Sequence, residues 1–148
     1  MKKTEIKNKW SLISLQTSVD INTNQLSVFN IVDEINVVPP KNPLPKLPED
    51  GFVIPFQHEF VSFWSRDLNE SKDEMKINAK LKLFDPNDII LLEQDVVIPF
   101  EANKENMRFI IKNSALKIKN AGKYRYEIVL GDEKVKSEKA TAEFRVKL

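Results

Sequence analysis

Few side chains in this sequence are equipped for chemistry. There is one histidine, His58, in the run Phe56-Gln57-His58-Glu59-Phe60, and there is no cysteine. A histidine in nucleophilic catalysis needs a nucleophile in reach and a carboxylate that orients its ring. The segment around His58 alternates like a strand, and strand neighbours point to opposite faces, so Glu59 cannot orient His58. A half-exposed strand histidine is the expectation. The absence of cysteine removes thiolate catalysis, a disulfide framework and zinc sites built from Cys or several His. With only three glycines the chain holds no Gly-x-Ser-x-Gly elbow, phosphate loop or dinucleotide fingerprint.

Carboxylates gather at Asp67/Glu70/Asp73/Glu74 and at Asp85/Asp88. Calcium takes about six to eight oxygens, often from such loops. Neither cluster has EF-hand spacing, so solvated loop tips are favoured and calcium binding at residues 67–74 and 85–88 stays open. Asp85, Asp88 or Glu93 could serve as acid and base in a carboxylate-based hydrolase, provided one of them is desolvated.

Charge is divided unevenly. Residues 1–100 carry 11 Lys/Arg against 15 Asp/Glu, net −4, and residues 101–148 carry 12 against 7, net +5. Lys117, Lys119, Lys123, Arg125, Arg145 and Lys147 suggest a basic stripe, which makes a weak electrostatic nucleic-acid binder an alternative reading. Nucleic-acid sheets interleave such charge with exposed aromatics. Here Tyr124, Tyr126 and Phe144 fall in the inward phase, so a solvated lysine-rich face is preferred.

The elements that position these groups are strands. The 148 residues suffice for one domain, and 41% hydrophobic with 30% charged residues suits a globular chain. No apolar run approaches the roughly 20 residues that cross a bilayer, and Met1-Lys2-Lys3 is followed by polar residues where a signal peptide would be apolar. A cytoplasmic location with no membrane partner is the expectation. Residues 1–9 read as a basic tail and 10–148 as a single domain. Ile13, Leu15, Val19 and Ile21 predict one inward face, and Leu26–Val37 follows as the second arm of a long hairpin. Pro39, Pro40, Pro43, Pro45 and Pro48 make 38–50 an extended crossover loop, since proline cannot donate to a ladder. Phe52–Trp64 resumes as a strand, with Pro55 at a bulge or at its start. Strands are expected at 77–83, at 89–98 with its apolar start buried on both faces, and at 124–130 and 140–146. Met107–Ile111 and Leu116–Ile118 are read as two short strands or one interrupted strand. Asp67–Met75 could hold one helical turn. The pattern predicts an all-β fold: an antiparallel immunoglobulin-like sandwich of about eight strands with little or no helix.

The immunoglobulin-like part rests on Asn120-Ala121-Gly122-Lys123-Tyr124-Arg125-Tyr126. It resembles a tyrosine corner, in which a Tyr lies two residues before an inward strand position and its phenol bonds nearby backbone. Gly122, Tyr124 and Tyr126 are therefore the fold-defining residues. The order of elements is also similar to an uncharacterised bacterial family of small immunoglobulin-like β-sandwich proteins, a domain of unknown function. The resemblance is carried by Ser18-Val19-Asp20-Ile21, Asn24–Phe29, Val32–Ile35, the proline-rich loop, Leu83–Pro86, and Gly122–Tyr126 with Gly131-Asp132. It implies a fold and no activity.

No catalytic residues, cofactor or metal site can be assigned from these patterns. The preferred reading is a non-enzymatic cytoplasmic module for protein interaction or assembly, with another protein or a second copy as partner and nucleic acid disfavoured. Aromatic residues near strand ends and rigid prolines suit a contact surface. The candidate contacts are Trp64, Phe63, Pro43 and Pro45, although for Trp64, as for Trp10, an ordinary core or rim place at the end of the sandwich is the preferred alternative.

Overall fold

Alternating apolar and polar residues build nine strands in the computed structural model, which describes residues 3–37, 51–136 and 138–148. They are β1 (Ile6–Val19), β2 (Leu26–Ile31), β3 (Glu34–Asn36), β4 (Phe52–Arg66), β5 (Met75–Phe84), β6 (Ile90–Phe100), β7 (Asn106–Ile118), β8 (Gly122–Leu130) and β9 (Lys139–Lys147). No helix occurs among the described residues. A four-stranded sheet runs β2-β1-β4-β7 and a five-stranded sheet runs β3-β9-β8-β5-β6. Every ladder is antiparallel except β3 with β9, which is parallel.

The two sheets face each other across one core. In β5, Ile77, Ala79, Leu81 and Leu83 are buried while Lys76, Asn78 and Lys80 are exposed, the period-two pattern of a strand with one wet face. Phe60 of β4 and Tyr126 of β8 meet across the interior with ring centroids 5.8 Å apart. Tyr124, at the head of β8, donates its hydroxyl to the Asn120 carbonyl. The same oxygen accepts the N–H groups of Lys119 (2.9 Å) and Asn120 (3.0 Å), which pins the crossing from β7 into β8. Gly122 allows this turn. Its φ of 135° disfavours any side chain, and a Cβ there would lie 2.9 Å from the Pro86 ring.

Several expectations are corrected. The run Leu26–Val37 is two strands in different sheets, which raises the strand number to nine. Asn30 (φ 55°) interrupts the extended backbone, and the chain then crosses to β9 at Val32-Asp33. Residues 106–118 form one uninterrupted strand because β4 offers them a long partner, from Phe52↔Ile118 to Ser65↔Asn106. The register shift in that ladder falls between Pro55 and His58, where proline withholds a donor. Residues 6–9 are part of β1, so the N-terminal tail is shorter than read: Ile6 pairs with Arg66 and its side chain closes one end of the core. Ile89 and Ile90, at the start of the edge strand β6, are exposed, so the apolar start is not buried on both faces. Residues 68–70 turn without a helix. The proline-rich loop 38–50, with Pro43 and Pro45, lies outside the described residues.

Candidate functional site

His58 is buried, at 2% exposure, on the inner face of β4. Its Nδ1 lies 2.8 Å from the Phe56 carbonyl and its Nε2 lies 2.8 Å from the Tyr126 hydroxyl. A carbonyl only accepts, so Nδ1 carries the proton and Nε2 accepts from the phenol. The imidazole is a neutral bridge between the two sheets, and the half-exposed reading is corrected. The residue fills the kink left by the Pro55/His58 shift. Burial pushes the imidazole below its ordinary 6.5, against an upward pull from the Phe56 carbonyl, and burial pushes the Tyr126 phenol up. The folded state therefore takes this proton less readily than the unfolded chain. The stability tied to neutral His58 is complete above pH 6.5 and is lost as pH falls below that value. Melting temperatures at about pH 7.5 and 5.5 are expected to show the loss on acidification, and His58→Phe should diminish it. An equal fall in both proteins would contradict the assignment.

Asp85, Asp88 and Glu93 each have a local partner. Asp85 is buried and accepts the N–H groups of Asn87 (2.8 Å) and Ile89 (2.9 Å), so it shapes its own turn. Asp88 pairs with Arg125 at 3.1 Å, and Glu93 pairs with Lys80 at 3.3 Å on an exposed face. Asp67 accepts from the Asn69 N–H, while Glu70 reaches the Glu5 N–H at 3.1 Å. Among the described residues no group of three or more His, Asp or Glu side chains is gathered so as to hold a metal ion. Arg66, which sequence reading passed over, organises this end. Its guanidinium donates to the carbonyls of Asp73 (2.6 Å), Lys104 (2.9 Å) and Glu101 (2.9 Å) and lies over the Phe100 ring.

Three members of the basic stripe are held in ion pairs. On the outer face of the five-stranded sheet, Lys123 meets Glu143 at 3.4 Å, Arg125 meets Glu127 at 2.6 Å and Lys147 meets Glu34 at 2.6 Å. Lys117 lies on β7, in the other sheet. Tyr124, Tyr126 and Phe144 are buried, which leaves this charged face no aromatic platform from those three.

The candidate contact residues separate. Trp64 is wholly buried and its indole N–H donates to Ser62 Oγ at 2.8 Å, so it belongs to the core and not to a surface. The strand carries it inward with Phe60, two turns of the pleat away. Phe63 points to the opposite side, half-buried, and stacks on Trp10 at 5.6 Å between centroids. Arg108 of β7 is opposite Phe63, so Trp10, Phe63 and Arg108 form one row across the outer face of the four-stranded sheet.

That row shows how the β1–β2 hairpin lies. Past Ser14, a straight β1 would carry Asn24 away from the row by about 3.3 Å per residue. Instead, Asn24 in the hairpin turn accepts a hydrogen bond from Arg108 Nη2 at 2.9 Å. The hairpin therefore folds back over the outer face. Val61 fits this geometry. It alternates with the interior Phe60, stands outside the interior cluster, and is nonetheless fully buried. Glu59 is buried beside it, with Lys112 Nζ at 3.6 Å.

The hairpin keeps much apolar surface in solvent. Ile21 is 97% exposed, Ile31 62% and Phe29 48%, with Leu15 and Val19 also exposed. Of the eleven exposed large hydrophobic residues among those described, six lie from Trp10 to Ile31. This corrects the inward face read for β1, of which Ile13 alone is buried among Ile13, Leu15, Val19 and Ile21. The signal in the sequence is the absence of charge from Ile21 to Val32, bracketed by Asp20 and Asp33.

The fold and this surface can be set beside known proteins. No protein-family model matches the chain, and no curated protein is found to match it. Among solved structures, the soluble domain of PmoD from Methylocystis sp. ATCC 49242 (Rockwell) is similar at 13% identity over 98% of each chain, with a TM-score of 0.37. A likeness of that degree carries no argument about what this chain does.

Proposed function

We propose that this chain is a non-enzymatic, immunoglobulin-like module of the cytoplasm that acts by protein interaction or assembly, with the β1–β2 hairpin as its contact element. The observation that carries the reading is exposed apolar surface on both faces of that hairpin: Phe29 and Ile31 share one face, Leu15 and Val19 lie on the other, and Ile21 stands in the turn. Exposed apolar patches on soluble chains mark interaction sites, while scattered single residues do not. Support for the immunoglobulin-like assignment is local: Tyr124 bonds upstream backbone at the start of β8, two residues before inward Tyr126. The lack of cysteine is compatible with a reducing compartment. No helix of the described residues is long and apolar enough to cross a membrane.

The test is native purification from the source cells. Wild-type protein is expected in a stable complex larger than the 17.1 kDa chain. The double variant Phe29→Lys/Ile31→Lys should keep its melting temperature, because both side chains are exposed, and lose the complex. Truncating a central apolar anchor costs about 2 kcal/mol or more of binding. A monomeric wild-type protein with no bound partner, or a complex unaffected by the variant, would contradict the proposal.

A further inference from the structure

The two sheets present four edges among the described residues: β2 and β7 in one sheet, β3 and β6 in the other. A strand edge offers unpaired N–H and C=O groups, and soluble proteins guard such edges with charge, proline, bulges or brevity. Three of these edges are guarded. β7 carries Arg108, Lys112 and Lys117. β6 carries Glu93, Asp95 and Pro99. β3 has three residues, and its Glu34 is tied to Lys147. β2 differs. Its sequence Leu26-Ser27-Val28-Phe29-Asn30-Ile31 has no charge and no proline, and no described strand pairs with its second edge. Phe29 and Ile31 project from it into solvent, while Leu26 and Val28 are half-buried on the alternate side.

We infer that β2 is a strand-addition site whose occupant is the β2 strand of a second copy of this chain. The two strands would pair antiparallel about a two-fold axis and join the β1–β2 hairpins of the two copies. The argument for a second copy is the charge pattern. Antiparallel pairing of β2 with itself sets uncharged residues against uncharged residues along its whole length, so no like charges oppose one another. The two-fold gives each copy the same contact, with Phe29 and Ile31 of both strands clustered on one face. The other edges lack this property: on β7, antiparallel self-pairing would bring basic residues against a basic strand. Asn30, at φ 55°, limits regular pairing to the part of β2 that precedes it. The new ladder therefore centres on Leu26–Phe29, with Ile31 packing at its margin. This inference rests on the hairpin being the contact element and adds the identity of the partner and the mode of pairing.

Sedimentation velocity over a wide concentration range, up to about 1 mM, tests it. The wild-type chain should pass from monomer to dimer, and the double variant Phe29→Lys/Ile31→Lys should weaken that dimer by at least roughly ten-fold by placing four ammonium groups at the joint. Val97→Lys on the β6 edge serves as a control and should leave it unchanged. Amide hydrogen exchange read at low and high concentration should show protection of Leu26–Phe29 gained only in the dimer. A wild-type chain that stays monomeric, a dimer indifferent to the β2 substitutions, or a dimer without new β2 protection would each overturn the inference. A chain that is monomeric alone but recovered in a hairpin-dependent complex with another protein would overturn self-pairing while leaving the interaction reading intact.

Discussion

Replacing Trp64 by alanine is expected to cost about 3–5 kcal/mol of stability, the range for emptying a large aromatic site in a packed core. Trp64 is fully buried and among the largest side chains of the interior. Two effects add. The lost ring leaves a cavity that the neighbouring strand residues cannot fill, because β4 is held on both sides by β1 and β7. The substitution also removes the indole donor to Ser62 Oγ, although that hydroxyl keeps its bond to the Phe109 carbonyl at 3.2 Å. For a chain of this size the melting temperature should fall by roughly 10–15 °C. Trp10→Ala, at an exposed ring stacked on Phe63, should cost far less. Comparable losses at the two positions would contradict the placement of Trp64 inside and Trp10 outside.

Arg66→Met is expected to destabilise by about 3–5 kcal/mol, since removing one partner of a buried charged network leaves the others unpaired. The guanidinium is the common donor to the Asp73, Glu101 and Lys104 carbonyls, which ties loop 67–74 to loop 101–105. Burial draws its pKa down somewhat while the nearby Asp73 opposes that. The conservative variant separates charge from geometry. Arg66→Lys keeps the charge, but a single ammonium cannot span three carbonyls set around a planar fork. It should lose most of the same stability and make both loops more sensitive to limited proteolysis. An Arg66→Lys protein within about 0.5 kcal/mol of wild type would show that charge alone is what matters.

The two substitutions mark where sequence reasoning succeeds and where it stops. Period-two patterning located β5, β8 and β9 well, because one face of each is core and the other wet, and their turns are made by Asp85–Asp88 and Gly131–Glu133. The same patterning failed for β1. Leu15 and Val19 have the right phase for the core, but phase says nothing about whether a sheet stands opposite, and here the strand has bent away. Local spacing leaves Trp64 open between a contact and a core residue for a related reason. Its place near the end of a strand suggested exposure, while the adjoining loops are drawn over that end by Arg66, a long-range arrangement that local spacing does not encode. Alternation separates His58 from Glu59, yet the buried place of His58 involves Tyr126, 68 residues away. The candidate surface was legible only as a missing feature, twelve residues without charge between Asp20 and Asp33.

The central claim is that the exposed hairpin is where this chain meets its partner. Hydroxyl-radical footprinting, applied to the free chain and to the complex recovered from its source cells, tests that claim most directly. In the free chain Phe29, Ile31 and Trp10 should be oxidised and Trp64 should not, in keeping with their exposure. In the complex, Phe29 and Ile31 should lose labelling several-fold, whereas Val53 and Val97, exposed elsewhere, should keep theirs. Equal labelling of Phe29 and Ile31 in the two states, with protection appearing on another face, would contradict it.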